Sequence, residues 1–221
     1  VDIKLLEGTG RLLAMMPERL SRDAAAMLAK KKVDVRLETM VTGYDGHTLT
    51  LKDGGEIKTQ TVIWAAGVKA ASVAAALDAD YDRAGRIVVN RDLSVRGLPR
   101  VYAIGDNASF EMEPGARPLA TVAPVAMKEG ICCARNILRE VRGEATEPFV
   151  YKDMGAMATI GRSSAVLSVG KIHAEGFLAW SVWLWVHLLR LAGTYANVTV
   201  ALKWVLNYFN NARLGRIIVE R

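Results

Sequence analysis

The sequence is poor in the residue types that most directly announce chemistry. It has two cysteines, Cys132 and Cys133, adjacent in the chain. That spacing suits neither a disulfide framework nor a metal site, and it points to a reducing compartment. The bland reading is a pair of small residues on a packed helix. The three histidines are scattered. His47 lies in a hairpin pattern and His173 beside a loop, and neither has the partner that a catalytic base requires. Basic residues outnumber acidic ones by 29 to 23, for a net charge of +6, yet the basic run is only Lys30-Lys31-Lys32. It ends a helical pattern, where cations complement the dipole. With no basic patch and no reading element, nucleic-acid binding is excluded. A modest basic excess beside an apolar tail suits an anionic membrane surface instead.

What is present has an α/β order. The 221 residues are enough for one domain or two small ones, and 51% of them are hydrophobic. Val1 to Glu7 reads as a short strand. Pro17 then opens a helix that closes on the lysine run, and Val33 to Leu37 alternates as a second strand. Strand, helix, strand favours a parallel pair. From Thr39 to Trp64 the pattern is a meander, with Asp45-Gly46 and Asp53-Gly54 as turns. Strands are expected at 61–65, 86–90 and 101–104, a small helix at 70–77, and a helix within 117–142 interrupted by Pro118 and Pro124. Residues 154–160 and 165–169 read as a hairpin. The chain begins on a strand pattern without signal peptide or initiator Met, and so reads as part of a longer protein.

The segment Val101-Tyr-Ala-Ile-Gly-Asp106 ends an apolar strand in a glycine and then an acid. Open α/β sheets bind ligands at that carboxyl edge. One reading makes Asp106 a helix N-cap for the amides of Ala108 or Ser109. The other has Gly105 admit a ligand close to the backbone while Asp106 accepts hydrogen bonds from sugar-like hydroxyls.

Glu7 ends the first strand and precedes Gly8-Thr-Gly10. A phosphate loop is rejected: position 13, where a third glycine belongs, is Leu13, and no helix signal begins before Pro17. Glu7 fits better as the acid that ends the second strand of a dinucleotide fold and grips the adenosine ribose. An acid there favours NADH over NADPH, because a 2′-phosphate would be repelled. A plain solvated strand-end glutamate is the alternative.

The tail changes character. Residues 177–192 are apolar on both sides but include His187 and Arg190, and they fall short of the about 20 residues that span a bilayer. Trp180, Trp183 and Trp185 suit a headgroup boundary. In the next helix Thr199, Lys203 and Asn207 recur every four residues opposite an apolar face that includes Trp204. That pattern describes a helix lying in the membrane plane, followed by Arg213 and Arg216 as headgroup contacts. The alternative is a buried dimer interface or domain core.

Taken together, these segments resemble the C-terminal half of type II NADH:quinone oxidoreductases, the single-subunit, non-proton-pumping NADH dehydrogenases of the pyridine nucleotide-disulfide oxidoreductase superfamily. Val101 to Asp106 looks like the superfamily's second flavin fingerprint. Arg86-Ile-Val-Val-Asn90, the linker 93–100 and Thr61-Val-Ile-Trp-Ala-Ala-Gly67 follow the same order. Tyr151 to Arg162 looks like a family hallmark, Gly176 to Leu189 like the membrane-anchoring segment, and Ala123-Pro-Val-Ala-Met-Lys-Glu-Gly130 like the stretch at the flavin ring and quinone pocket.

The resemblance implies a partial, Rossmann-like, two-dinucleotide-binding-domain flavoprotein with a C-terminal amphipathic helical membrane anchor. Residues 1–67 would close an NADH-binding domain and 68–145 an FAD-binding domain, with a hairpin region at 146–176 and membrane-associating helices at 177–221. FAD and NADH are the implied cofactors, and a quinone and the lipid surface the partners; homodimerisation is left open. The implied location is the cytoplasmic face of the inner (plasma) membrane, peripherally bound. Glu7 would hold the NADH ribose, Ala66 and Gly67 would lie near the nicotinamide, and Gly105 and Asp106 would hold the flavin's ribityl chain. Ala123, Pro124 and Val125 would flank the flavin ring, with Met127 and Lys128 toward the quinone. Many relatives carry Gln where this chain has Lys128, and the tail reads Gly193-Thr-Tyr-Ala-Asn197 where relatives often have an Arg-Asn-Arg-like stretch. The family's two glycine-rich cofactor loops would precede Val1, so this stretch alone is expected to show little activity. The rivals are a soluble FAD-dependent NAD(P)H disulfide or ferredoxin reductase and a non-catalytic membrane-bound remnant.

Overall fold

The computed structural model describes residues 2–190 and 193–210. Arg213 and Arg216 lie outside the described residues. The chain divides into two compact units, the described residues of Val1–Thr61 with Gly155–Arg221 in one and Val62–Met154 in the other.

In the first unit, β1 (Ile3–Leu6) pairs in parallel with β2 (Val33–Arg36) across the helix α1 (Glu18–Lys30). Pro17 stands at the N-cap of α1, where its missing N–H costs no helix bond. The meander forms β3 (Val41–Tyr44), β4 (Thr48–Leu51) and β5 (Glu56–Lys58). Asp45 Oδ1 accepts from the amides of His47 and Thr48, and Asp53 Oδ1 from that of Gly55, so each acid fixes its own turn.

The expected hairpin is a three-stranded antiparallel sheet: β8 (Ala156–Gly161), β9 (Ser164–Val169) and a third strand, β10 (Ile172–Glu175). Alternation along β9 explains its layers. Val166 packs with Met16, just before α1, and with Leu20 and Ala24 of α1, whereas Ala165 and Leu167 pack with Ala179 of α3 (Gly176–Leu189). The sheet is therefore apolar on both faces. Helix α4 (Thr194–Asn210) follows, starting four residues earlier than the apolar pattern predicts.

In the second unit, strand content is lower than the sequence suggests. Residues 61–65 form no strand, and Ile63 and Trp64 are 87% and 67% exposed. Two-sided apolarity marks a segment suited to the middle of a sheet, but no described strand pairs with it. The strand expected at 101–104 is reduced to a bridge between Tyr102 and Ser94. That expected at 86–90 is the two-residue β6 (Ile87–Val88), paired in parallel with β7 (Ala108–Ser109). The helix expected at 70–77 is a 3-10 turn, Ser72–Ala76. Helix α2 runs Ala123–Val141, with Pro124 in its first turn rather than interrupting it.

The interior of this unit gathers Ile87, Val89, Leu93, Val95, Phe110 and Phe149 around Cys133. Phe110 and Phe149 meet edge to face at 5.1 Å. Burial raises both cysteine thiols above their ordinary value, which fits packed, inert residues. Asn136, fully buried on α2, donates from Nδ2 to the carbonyls of Asp92 (3.1 Å) and Glu147 (2.9 Å) and accepts from the Glu147 amide (2.9 Å). One side chain thus ties three segments together.

Candidate functional site

Gly105, Asp106 and Asn107 form a single 3-10 turn where the extended segment from Val101 ends. Gly105 sits at φ +64°, a left-handed conformation that glycine adopts without a Cβ penalty. A Cβ at this position would lie 3.4 Å from Cβ of Ala126 on α2. Glycine is favoured by the left-handed turn, while a Cβ would only come into van der Waals contact with the helix.

The two residues flanking Asp106 are tied down, and Asp106 is not. Oε2 of Glu129 on α2 accepts the Gly105 N–H at 2.5 Å. Oδ1 of Asn107 accepts the Ala71 N–H at 2.8 Å. Asp106 is exposed, and among the described residues no hydrogen bond engages its carboxylate. The turn is not the N-terminus of an α-helix, and the cap position before it makes no side-chain bond. The capping alternative is thereby removed. What remains is a fixed backbone that presents a solvated carboxylate, an acceptor suited to paired hydroxyls.

Glu129 is the residue that sequence reasoning missed. It lies inside Ala123–Gly130, on the inward face of an amphipathic helix, and is 1% exposed. Burial raises its pKa above the ordinary value; the Gly105 hydrogen bond and the Arg86 charge oppose this, and the Asp106 charge adds to it. A glutamate at a position the helical period assigns to the interior was the available signal.

The other expected residues fall as follows. Ala66 and Gly67 lie on the exposed 61–71 segment, with Gly67 at φ +107°, and the Ala71–Asn107 bond ties the end of this segment to the turn. On α2, Ala123 is exposed, Pro124 half-buried and Val125 buried, while Met127 and Lys128 are exposed.

In the other unit, Glu7 ends β1, held by its amide to the Arg36 carbonyl (2.9 Å). Its Oε1 accepts from both the amide and the hydroxyl of Thr9, each at 2.8 Å. Gly8 and Gly10 are not left-handed, and the helix starts only at Glu18, so no phosphate loop forms there.

Of the tail tryptophans, Trp180 packs against the Ala165–Leu167–Ala179 cluster. Trp183 stacks on His187 (4.0 Å) and lies 6.5 Å from Trp204 of α4. Trp185 is 62% exposed, alongside Phe177, Leu178 and Leu189. Helix α3 is apolar all round because one side covers β9 while the other faces outward. Among the described residues no helix is long and apolar enough to cross a membrane.

Residues 1–130 match the family model of the pyridine nucleotide-disulphide oxidoreductases. The chain belongs to this family. Its homologues include the type II NADH:quinone oxidoreductase Ndh of Mycobacterium tuberculosis, 36% identical over 95% of this chain and 46% of that protein. The internal alternative NAD(P)H-ubiquinone oxidoreductase A1 of Arabidopsis thaliana is 31% identical over 98% of this chain and 46% of that protein. The chain spans about half the length of these curated relatives. In fold it is similar to NDH2 of Plasmodium falciparum, solved in complex with NADH, with a TM-score of 0.84 and 14% identity over 98% of this chain and 60% of that one.

Proposed function

We infer that this chain is part of a flavoenzyme that transfers a hydride from NADH to FAD and two electrons onward to a quinone. The observation that carries the reading is the Gly105–Asp106–Asn107 turn, anchored on both sides and open in the middle. It fits a flavin's ribityl chain: the carboxylate is exposed and unengaged, an acceptor for the polyol's hydroxyls. A flavin held there would supply the hydride-accepting and electron-carrying chemistry. The chain's own residues bind and orient. Asp106 holds the polyol, the exposed Ala66–Gly67 segment borders the nicotinamide, and the first turns of α2 flank the ring. Glu7 keeps one carboxylate oxygen on Thr9 and offers the other to the NADH ribose. Exposed Lys128, with Met127 beside it, hydrogen-bonds a quinone carbonyl as a cation.

The apolar outward side of α3, including Trp185, rests in an interfacial lipid layer, with α4 lying beside it. Trp180, Trp183 and Trp204 support that surface from behind, and Arg213 and Arg216 meet headgroups. The enzyme then lies peripherally on the cytoplasmic face of the inner membrane.

The test is NADH oxidation by the full-length protein with a short-chain quinone as acceptor. Coupled loss of NADH and quinone is expected. NADH consumption that leaves the quinone untouched would remove the quinone reading. In Lys128→Ala the quinone KM should rise about three- to tenfold with the NADH KM unchanged.

A further inference from the structure

We propose that Glu129 is the positioning residue of the flavin site, holding the Gly105 amide so that Asp106 is aimed, while touching no ligand itself. The inference rests on the flavin reading above and concerns a residue outside its contact set.

A glutamate with 1% exposure is costly to bury, and a helix interior would ordinarily take an apolar side chain. Here the side chain has a specific partner. Its Oε2 lies 2.5 Å from the Gly105 nitrogen across a sequence separation of 24. The helix lies close to the turn: a Cβ at Gly105 would come within 3.4 Å of Cβ of Ala126, one turn before Glu129. At Gly130, a Cβ would still clear Ile104 Cδ1 by 3.8 Å, so the helix lies against the segment both before and at the turn.

Without the Glu129 acceptor, the half-buried Gly105 amide would lose its protein partner, and a glycine at φ +64° has other conformations within reach. Rotation of that peptide would swing Asp106, the next residue, away from its direction. The charged groups that face Glu129 are Arg86, which favours the ionised form, and Asp106, which opposes it. Burial outweighs Arg86 and raises the pKa; ionised or neutral, the carboxyl keeps an oxygen that accepts the amide. What the contact requires is an acceptor oxygen at this position, which glutamine also supplies, so glutamine should replace it.

Three forms of the full-length protein separate the outcomes: wild type, Glu129→Gln and Glu129→Met. Two readouts are taken on each, the dissociation constant for FAD and residue-resolved hydrogen exchange of the Gly105 amide. Glu129→Gln should keep FAD affinity within about twofold and preserve Gly105 protection. Glu129→Met, similar in shape but lacking the acceptor, should weaken FAD by about tenfold and expose Gly105 to exchange, with the Val89 and Val95 amides unchanged. Equal loss of FAD in both variants would overturn the proposal, since charge would then be what matters. Unaltered FAD binding and Gly105 protection in Glu129→Met would overturn it as well. Should Glu129→Met fail to fold, Glu129→Gln decides alone. Should wild type bind no FAD, the flavin reading falls, and Gly105 exchange still reports whether Glu129 holds the turn.

Discussion

At the scale of single residues, the carboxylates of the second unit differ in what their surroundings give them. Asp92 is partly buried, which works to raise its pKa. The Ser94 and Thr146 hydroxyls and the Ser94 amide outweigh that and hold it below the ordinary 3.8. Glu129 has one amide and a distant cation against nearly complete burial, and it stands above the ordinary 4.5. The signs of their pH effects are opposite. A depressed carboxyl contributes stability above its unfolded pKa and loses it as pH falls through the folded value. A raised one contributes below its unfolded pKa and loses it as pH rises through the folded value. Urea midpoints from about pH 3 to pH 8 should therefore show wild type losing its advantage over Asp92→Asn toward acid. Glu129→Gln should gain on wild type as pH rises above 4.5. A pH-independent difference in either comparison would contradict the assignment. The turn that presents Asp106 was legible in the sequence because a glycine and an acid ending an apolar segment mark it locally. Glu129 was not, because its role depends on a hydrogen bond to Gly105, far away in the chain.

At the scale of elements, local patterns were legible where partners lie nearby in sequence. The Asp-Gly turns gave the meander, Pro17 gave the start of α1, and two short runs on either side of Gly161–Ser164 gave β8 and β9. Segments 61–65 and 101–104 have strand composition but find almost no ladder partner among the described strands, and composition does not encode pairing. The short β10 lacks a strong apolar alternation of its own and forms because β9 offers it an edge. Two substitutions test how these elements are held. Gly155 has φ +87°, and a Cβ there would collide with the Ser168 carbonyl. Gly155→Ala should destabilise the β8–β9 pair by about 2 kcal/mol or more, read as a lower urea midpoint. Asn136→Leu keeps the volume but strands three backbone groups. It should cost about 2–4 kcal/mol and release the 145–148 segment to faster exchange. A neutral Asn136→Leu would mean that water satisfies those groups equally well.

At the scale of the whole molecule, each unit brings a different part of the proposed activity: Glu7 and the apolar helices α3 and α4 in one, the Gly105–Asn107 turn and the first turns of α2 in the other. The apolar character of α3 was legible, whereas its division into a side covering β9 and an outward side required the sheet. That division makes lipid binding separable from folding. Replacing exposed Trp185 and Leu189 with glutamate should weaken binding of the full-length protein to anionic vesicles by about tenfold or more. The urea midpoint should stay unchanged, because neither side chain faces the sheet. Unchanged vesicle binding would contradict the proposal that this side of α3 rests on lipid. The central claim, that Asp106 grips a flavin's polyol, is tested most directly by FAD titration of the full-length protein and its Asp106→Ala form. Wild type should carry stoichiometric FAD, and Asp106→Ala should bind it about ten- to a hundredfold more weakly with its fold intact. A wild-type protein without flavin, or an Asp106→Ala protein that holds FAD as tightly as wild type, would contradict it.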